Sequence, residues 1–190
     1  MIPHDAVYLS IDFELVNRRG GTLAYALVVA HYPTGRILDS AHGTCIRGLH
    51  EYDHCTYKFW HTNYEAYLML LQKASMCPRE MEIKMTEDFT RMLKRWPDIV
   101  IVSDNPATDV GLLDNALIRS NLDPSCFRPN GKYYQPICSW SYRLGLSLPQ
   151  SKSPLLRDTG KYYAPRHTPI ADCARVLDAS SEKTIKASSF

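Results

Sequence analysis

The stretch Tyr8-Leu9-Ser10-Ile11-Asp12-Phe13-Glu14 constrains this chain more than any other. Strand side chains alternate with period two, so Val7, Leu9, Ile11 and Phe13 share one face and Tyr8, Ser10, Asp12 and Glu14 the other. Two carboxylates at the end of an apolar strand gain nothing from packing, and like charges that close disfavour joint ionisation. A bound divalent cation removes that conflict, which makes Asp12 and Glu14 a candidate half of a metal site. Because Asp-x-Glu is a short pattern, a solvated strand end is the plain alternative.

A chain of 190 residues is long enough for one domain with a real core, expected over residues 1–180, with a polar flexible tail at 181–190. The net charge of +2 gives no global field toward nucleic acid or membrane, so any such partner must be met locally. No stretch is apolar enough to span a bilayer, and Met1-Ile2-Pro3-His4-Asp5 lacks the features of a signal peptide. The expectation is an intracellular, cytoplasmic protein whose scattered cysteines are reduced thiols. Cys45, His50, His54, Cys55 and His61 lie close in sequence but fit no common structural zinc spacing. There is no Gly-x-Ser-x-Gly turn and no phosphate-binding glycine loop, which argues against a serine hydrolase and a nucleotide triphosphatase.

The expected first strand, Asp5 to Asp12, is followed by a break at Arg18-Arg19-Gly20-Gly21, an apolar strand over Thr22–His31, a turn, and a third strand over Arg36–Cys45. These three read as an antiparallel meander. Gly48 to Tyr57 reads as irregular. Helices are expected over Asn63–Ala74 and from about Thr86, acting as cap, to Trp96. The apolar run Asp98–Ser103 reads as a buried strand, Asn105-Pro106 opens a helix, Ile137–Leu144 reads as a short helix, and Thr168-Pro169 opens a last helix to about Ala179. Strands, then helices, then a buried strand with further helices indicate an α/β fold with a mixed sheet. Phe59-Trp60 reads as a core plug or as a stacking platform for single-stranded nucleic acid, and Tyr133-Tyr134 and Tyr162-Tyr163 as sheet-edge cover or base-stacking turns.

Two helix starts share a design: Asn105-Pro106-Ala107-Thr108-Asp109 and Thr168-Pro169-Ile170-Ala171-Asp172 are each cap, proline, two residues, aspartate. Each aspartate falls in the first turn, where unpaired N–H groups favour an anion. His167 precedes the second cap. Asp12, Glu14, Asp109 and Asp172 with the His167 imidazole suit a two-metal phosphodiesterase, in which two Mg²⁺ or Mn²⁺ ions ~3.5–4 Å apart stabilise the attacking and leaving oxygens. A histidine titrating near neutrality suits removal of the water proton.

The order Ile11-Asp12-Phe13-Glu14, then Ser103-Asp104-Asn105-Pro106-Ala107-Thr108-Asp109, then His167-Thr168-Pro169-Ile170-Ala171-Asp172 resembles the DEDDh (DnaQ-like) exonucleases. The resemblance runs through nearly the whole chain and implies a ribonuclease-H-like fold, an antiparallel three-strand meander plus parallel strands flanked by helices. It implies metal-dependent 3′–5′ removal of 5′-mononucleotides from single-stranded DNA or RNA, with Asp12, Glu14, Asp109 and Asp172 as ligands of two Mg²⁺ or Mn²⁺ ions and His167 as general base. Leu15, Asn105, Tyr163 and Arg166 are the expected substrate contacts. Many members carry His-Asn where this chain has Asp104-Asn105, and Phe where it has Thr108. Spacing to Asn105 favours Asp109 over Asp104 as the ligand, leaving Asp104 as a residue that supports the ligands or as an outer ligand. The expected partner is a nucleic-acid 3′ end, and a homodimer is compatible with the family's stand-alone members. The alternative function is a non-catalytic ribonuclease-H-like module that binds nucleic acid or protein.

Overall fold

The computed structural model describes residues 7–31, 34, 36–103, 105–123, 137–138 and 173. Strand β1 (Val7–Leu15) pairs antiparallel with β2 (Thr22–His31), which pairs antiparallel with β3 (Arg36–Thr44). On its other side β1 pairs in parallel with β4 (Val100–Ser103), and β4 with β5 (Ile137–Cys138). The sheet order is β3-β2-β1-β4-β5, so β1, with its carboxylates, is the central strand of a mixed sheet. A 3₁₀ turn at Leu49–Glu51 precedes α1 (His54–Thr62), α2 (Tyr64–Lys73), α3 (Pro78–Arg95) and α4 (Pro106–Arg119). The expected mixed sheet and three-strand meander are present.

The alternation in β1 sorts the layers. Leu9, Ile11 and Phe13 join Tyr25, Leu27 and Val29 of β2 in a buried cluster, covered by Met81, Met85, Phe89 and Met92 of α3 and by Leu113 and Leu117 of α4. Tyr8 on the opposite face packs with Ala26, Val28, Ala30, Val102 and Cys173. A third cluster closes one end of the sheet, where Val16, Leu23 and Ala24 meet Trp60 of α1 and Ala66 and Leu70 of α2. Among the described residues no helix is long and apolar enough to cross a membrane.

Several boundaries differ from the sequence reading. Helix α3 starts at Pro78 rather than at Thr86. Its cap is Cys77, whose Sγ accepts from the Glu80 N–H while Glu80 Oε2 accepts from the Cys77 N–H at 2.7 Å. A thiol in place of the usual hydroxyl hides this capping box. Thr86 is buried within the helix, its hydroxyl donating to the Ile83 carbonyl at 2.8 Å. Part of the segment expected to be irregular, residues 54–57, is helical in α1. That helix buries only Trp60, so it carries no apolar period, but Asp53 caps it by accepting from both the Thr56 N–H and its hydroxyl at 2.8 Å. Ile137 and Cys138, expected in a short helix, instead form a strand that pairs the outer backbone edge of β4. The rest of that expected helix, most of the last helix and residues 181–190 lie outside the described residues.

Candidate active site

Asp12 and Glu14 project from the face of β1 that carries Tyr8 and Ser10, and each is only 8% exposed. Their antiparallel partners on β2 are Ala26 and Ala24. Directly opposed residues share a face, so small side chains flank both carboxylates on the β2 side. The β1–β2 register shifts between Glu14 and Leu15. Such an irregularity re-aims the side chain that follows, and Leu15 is half-buried at this point while Val16 is fully buried. The Trp60 indole N–H donates to the Leu15 carbonyl at 2.9 Å, fixing the end of β1 to α1.

Asp109 reaches the same end of the sheet by another route. Strand β4 runs parallel to β1, with Ser10 beside Val102, so the carboxyl ends of both strands point the same way. The chain leaves β4 at Ser103 and enters α4 at Pro106, which places Asp109 in the first helical turn. Asp109 is 3% exposed. The hydroxyl of fully buried Ser103 donates to Asp109 Oδ2 and accepts from the Asn105 N–H at 2.9 Å. Asn105 occupies the cap position by backbone but its side chain makes no capping bond, and it is exposed. The cap expected of the Asn105 side chain is therefore absent, and the Ser103 hydroxyl instead ties the Asn105 N–H to Asp109. A serine two residues before an Asn-Pro helix start was the signal available for it.

The other expected site residues, Asp104, Tyr163, Arg166, His167 and Asp172, lie outside the described residues. Cys173, next to Asp172 in the chain, is helical and fully buried, and its Sγ–H lies 3.4 Å from both the Ser10 and Ala26 carbonyls. Ala26 is the cross-strand partner of Asp12. Residue 173 therefore packs on the carboxylate-bearing face of β1.

Among the described residues no three His, Cys, Asp or Glu side chains stand close enough to hold a metal ion. Asp12, Glu14 and Asp109 thus do not form a closed cage by themselves. Their chemistry still fits a hard cation: all the donors are carboxylate oxygens, which suit Mg²⁺ or Mn²⁺ better than zinc. The cysteines and histidines weighed for zinc are spread apart in environment, with Cys45 buried and its Sγ–H directed at the Thr22 carbonyl at 3.2 Å, while Cys55 is exposed on α1. Beside the end of β1, Asp53 accepts from the Thr56 N–H, the Arg18 N–H and the Thr56 hydroxyl, and these bonds pull its carboxyl down to about 2.

No protein-family model matches the sequence, and comparison with curated proteins gives no match. Solved structures do match. The nuclease domain of 3′hExo, a DEDDh family member bound to rAMP, is 15% identical with a TM-score of 0.58, over 98% of this chain and 95% of that one. The E. coli ExoI–ssDNA complex in its zinc-bound form is 11% identical with a TM-score of 0.60, and cell-death related nuclease 4 is 15% identical with a TM-score of 0.54. This chain is covered to 96% in both; it spans 41% of ExoI and 65% of the nuclease. The fold is therefore that of the DEDDh exonucleases, a mixed ribonuclease-H-like sheet flanked by helices.

Proposed function

We propose that the protein is a metal-dependent 3′–5′ exonuclease that hydrolyses the terminal phosphodiester of single-stranded DNA or RNA and releases 5′-mononucleotides. The observation that carries this reading is the burial of Asp12, Glu14 and Asp109 at the common carboxyl end of β1 and β4 within a DEDDh-type fold. The ligands of the neighbours, the mononucleotide rAMP for 3′hExo and single-stranded DNA for ExoI, support the substrate class.

In this reading Asp12, Glu14, Asp109 and Asp172 hold two Mg²⁺ or Mn²⁺ ions. When bound, such a pair supplies charge stabilisation at the attacking and leaving oxygens of an in-line displacement. His167 takes the proton from the attacking water through its imidazole nitrogen. Leu15, half-buried at the register shift, offers an apolar contact to the terminal sugar or base. Asn105 is exposed at the entrance to α4, and Tyr163 and Arg166 belong to the segment that carries His167. Cys173, buried against Ser10 and Ala26, is one peptide unit from Asp172, which supports including Asp172 with Asp12.

The test is substitution. Asp12→Ala, Asp109→Ala and Asp172→Ala are each expected to abolish hydrolysis while circular dichroism stays that of the wild type. Full activity in Asp109→Ala with loss in Asp104→Ala would move the ligand role to Asp104. Strand binding without cleavage by any form of the protein would favour a non-catalytic module.

A further inference from the structure

Helix α1 has an unusual outer face. Its nine residues, His-Cys-Thr-Tyr-Lys-Phe-Trp-His-Thr, contain no acid. His54, Tyr57, Lys58 and His61 stand at positions i, i+3, i+4 and i+7, which line one side of a helix, and all four are exposed, Tyr57 by 56%. None of these four side chains is buried, so the stripe has no use in packing the helix against the core.

The location gives it one. Trp60 holds α1 to the Leu15 carbonyl, one residue past Glu14, and packs in the same cluster as Ala24, the cross-strand partner of Glu14. At its N-terminus α1 adjoins a cavity of about 430 Å³ whose walls include Arg18, Arg19, His50 and Asp53. The acids of that wall are engaged: Glu51 pairs with Arg47 at 2.7 Å, and Asp53 is held by Thr56 and by the Arg18 N–H. The side chains of Arg18, Arg19 and Lys58 make no ion pair with any described residue. Cationic groups interleaved with exposed rings are what a single strand needs: charges follow its phosphates, and bases stack on aromatic faces whatever their sequence.

We propose that the outer face of α1 and the cavity at its N-terminus form a track for the single-stranded nucleic acid upstream of the 3′ end, with Lys58, Arg18 and Arg19 meeting phosphates and Tyr57, His54 and His61 meeting bases. The assignment rests on the exonuclease reading above and adds the path of the strand to it. Duplex bases are already stacked on one another and cannot use the rings, so the track selects single strands.

The experiment compares wild type with Tyr57→Ala/Lys58→Ala and, from a separate segment, Arg18→Ala/Arg19→Ala; Arg79→Ala on α3 is the control. Binding of a fluorescent single-stranded oligonucleotide of about a dozen nucleotides is read by anisotropy at several salt concentrations. Hydrolysis of the same oligonucleotide is compared with that of a dinucleotide. Loss of one stacked base and one phosphate contact in Tyr57→Ala/Lys58→Ala is expected to weaken binding by about tenfold or more and to flatten the salt dependence by about 0.7 in log–log slope, and loss of two phosphate contacts in Arg18→Ala/Arg19→Ala to flatten it by about 1.4. The advantage of the long substrate over the dinucleotide is expected to shrink in both double variants but not in Arg79→Ala. A wild type that cleaves, with variants that bind and discriminate length as it does, would overturn the track and leave the exonuclease reading intact. A wild type that binds but never cleaves, with variants that lose binding, would uphold the track and sink the exonuclease reading. Absence of single-strand binding by the wild type would overturn the track.

Discussion

Ser103→Ala tests whether the buried hydroxyl behind Asp109 is what holds that carboxylate in place. The serine is fully buried, donates to Asp109 Oδ2 and accepts from the Asn105 N–H at 2.9 Å. A hydrogen bond to a charged group contributes about 1.5–3 kcal/mol, whereas water can replace the bond to exposed Asn105 at a cost of about 0.5 kcal/mol. Removing one oxygen leaves little cavity, so the expected destabilisation is about 2–3 kcal/mol. For a chain of this size that lowers the melting temperature by about 5–10 °C. The informative partner is Ser10→Ala: its hydroxyl is equally buried but has no hydrogen-bond partner among the described residues. Deleting an unsatisfied buried hydroxyl is expected to be neutral or stabilising by about 1 kcal/mol. Both variants are compared by thermal unfolding and by calorimetric Mn²⁺ titration, where Ser103→Ala is expected to weaken binding by about 10-fold or more, as loss of a ligand's supporting partner does. Equal melting temperatures for the two variants, with an unchanged Mn²⁺ midpoint in Ser103→Ala, would refute the reasoning.

Other expectations follow from the same contacts. Trp60→Ala removes the bond to Leu15 and the centre of the third cluster, and is expected to cost about 3–5 kcal/mol in denaturant unfolding. In Gly43→Ala the added Cβ would stand 2.5 Å from the Tyr25 ring and 2.9 Å from Met76 Cε, so equilibrium unfolding should report a loss of about 1–3 kcal/mol. Asp53 sits at about 2 in the folded chain against an ordinary 3.8, so its support for α1 is complete above the ordinary value and lost as pH falls through the folded one. Tryptophan fluorescence should therefore report loosening of α1 between about pH 4 and 2 in the wild type, and that step should be absent in Asp53→Asn. His167→Ala should lose about 10²–10⁴-fold in turnover, read in a single-turnover assay, yet still bind Mn²⁺.

The parts of the fold legible in the sequence were those written in a single period. The alternation of Val7 to Glu14 gave the two faces of β1, and the apolar run at Thr22–His31 gave the strand beside it. The proline-opened start of α4 placed Asp109 in its first turn. What stayed hidden depended on partners distant in sequence or on unusual chemistry. Trp60 stands 45 residues from Leu15, and no local pattern announces that bond. The Cys77 cap looks unlike a cap until its thiol and Glu80 are seen together. Helix α1 buries one large residue and exposes rings and cations, so an apolar periodicity had nothing to find. The two-residue strand at Ile137–Cys138 is defined by its parallel pairing with β4, and two residues are too short a run to show a period. Within the candidate site, the carboxylates were readable as spacing, but the Ser103 hydroxyl that engages Asp109 was not.

The most direct measurement is a hydrolysis time course with 3′- and 5′-labelled single-stranded DNA and RNA in Mg²⁺, Mn²⁺ and EDTA, with Asp12→Ala alongside. The account predicts stepwise shortening from the 3′ end, dependent on the divalent ion and absent in Asp12→Ala, with the 5′ label retained until the last steps. Cleavage that persists in EDTA or in Asp12→Ala, or shortening from the 5′ end, would contradict it.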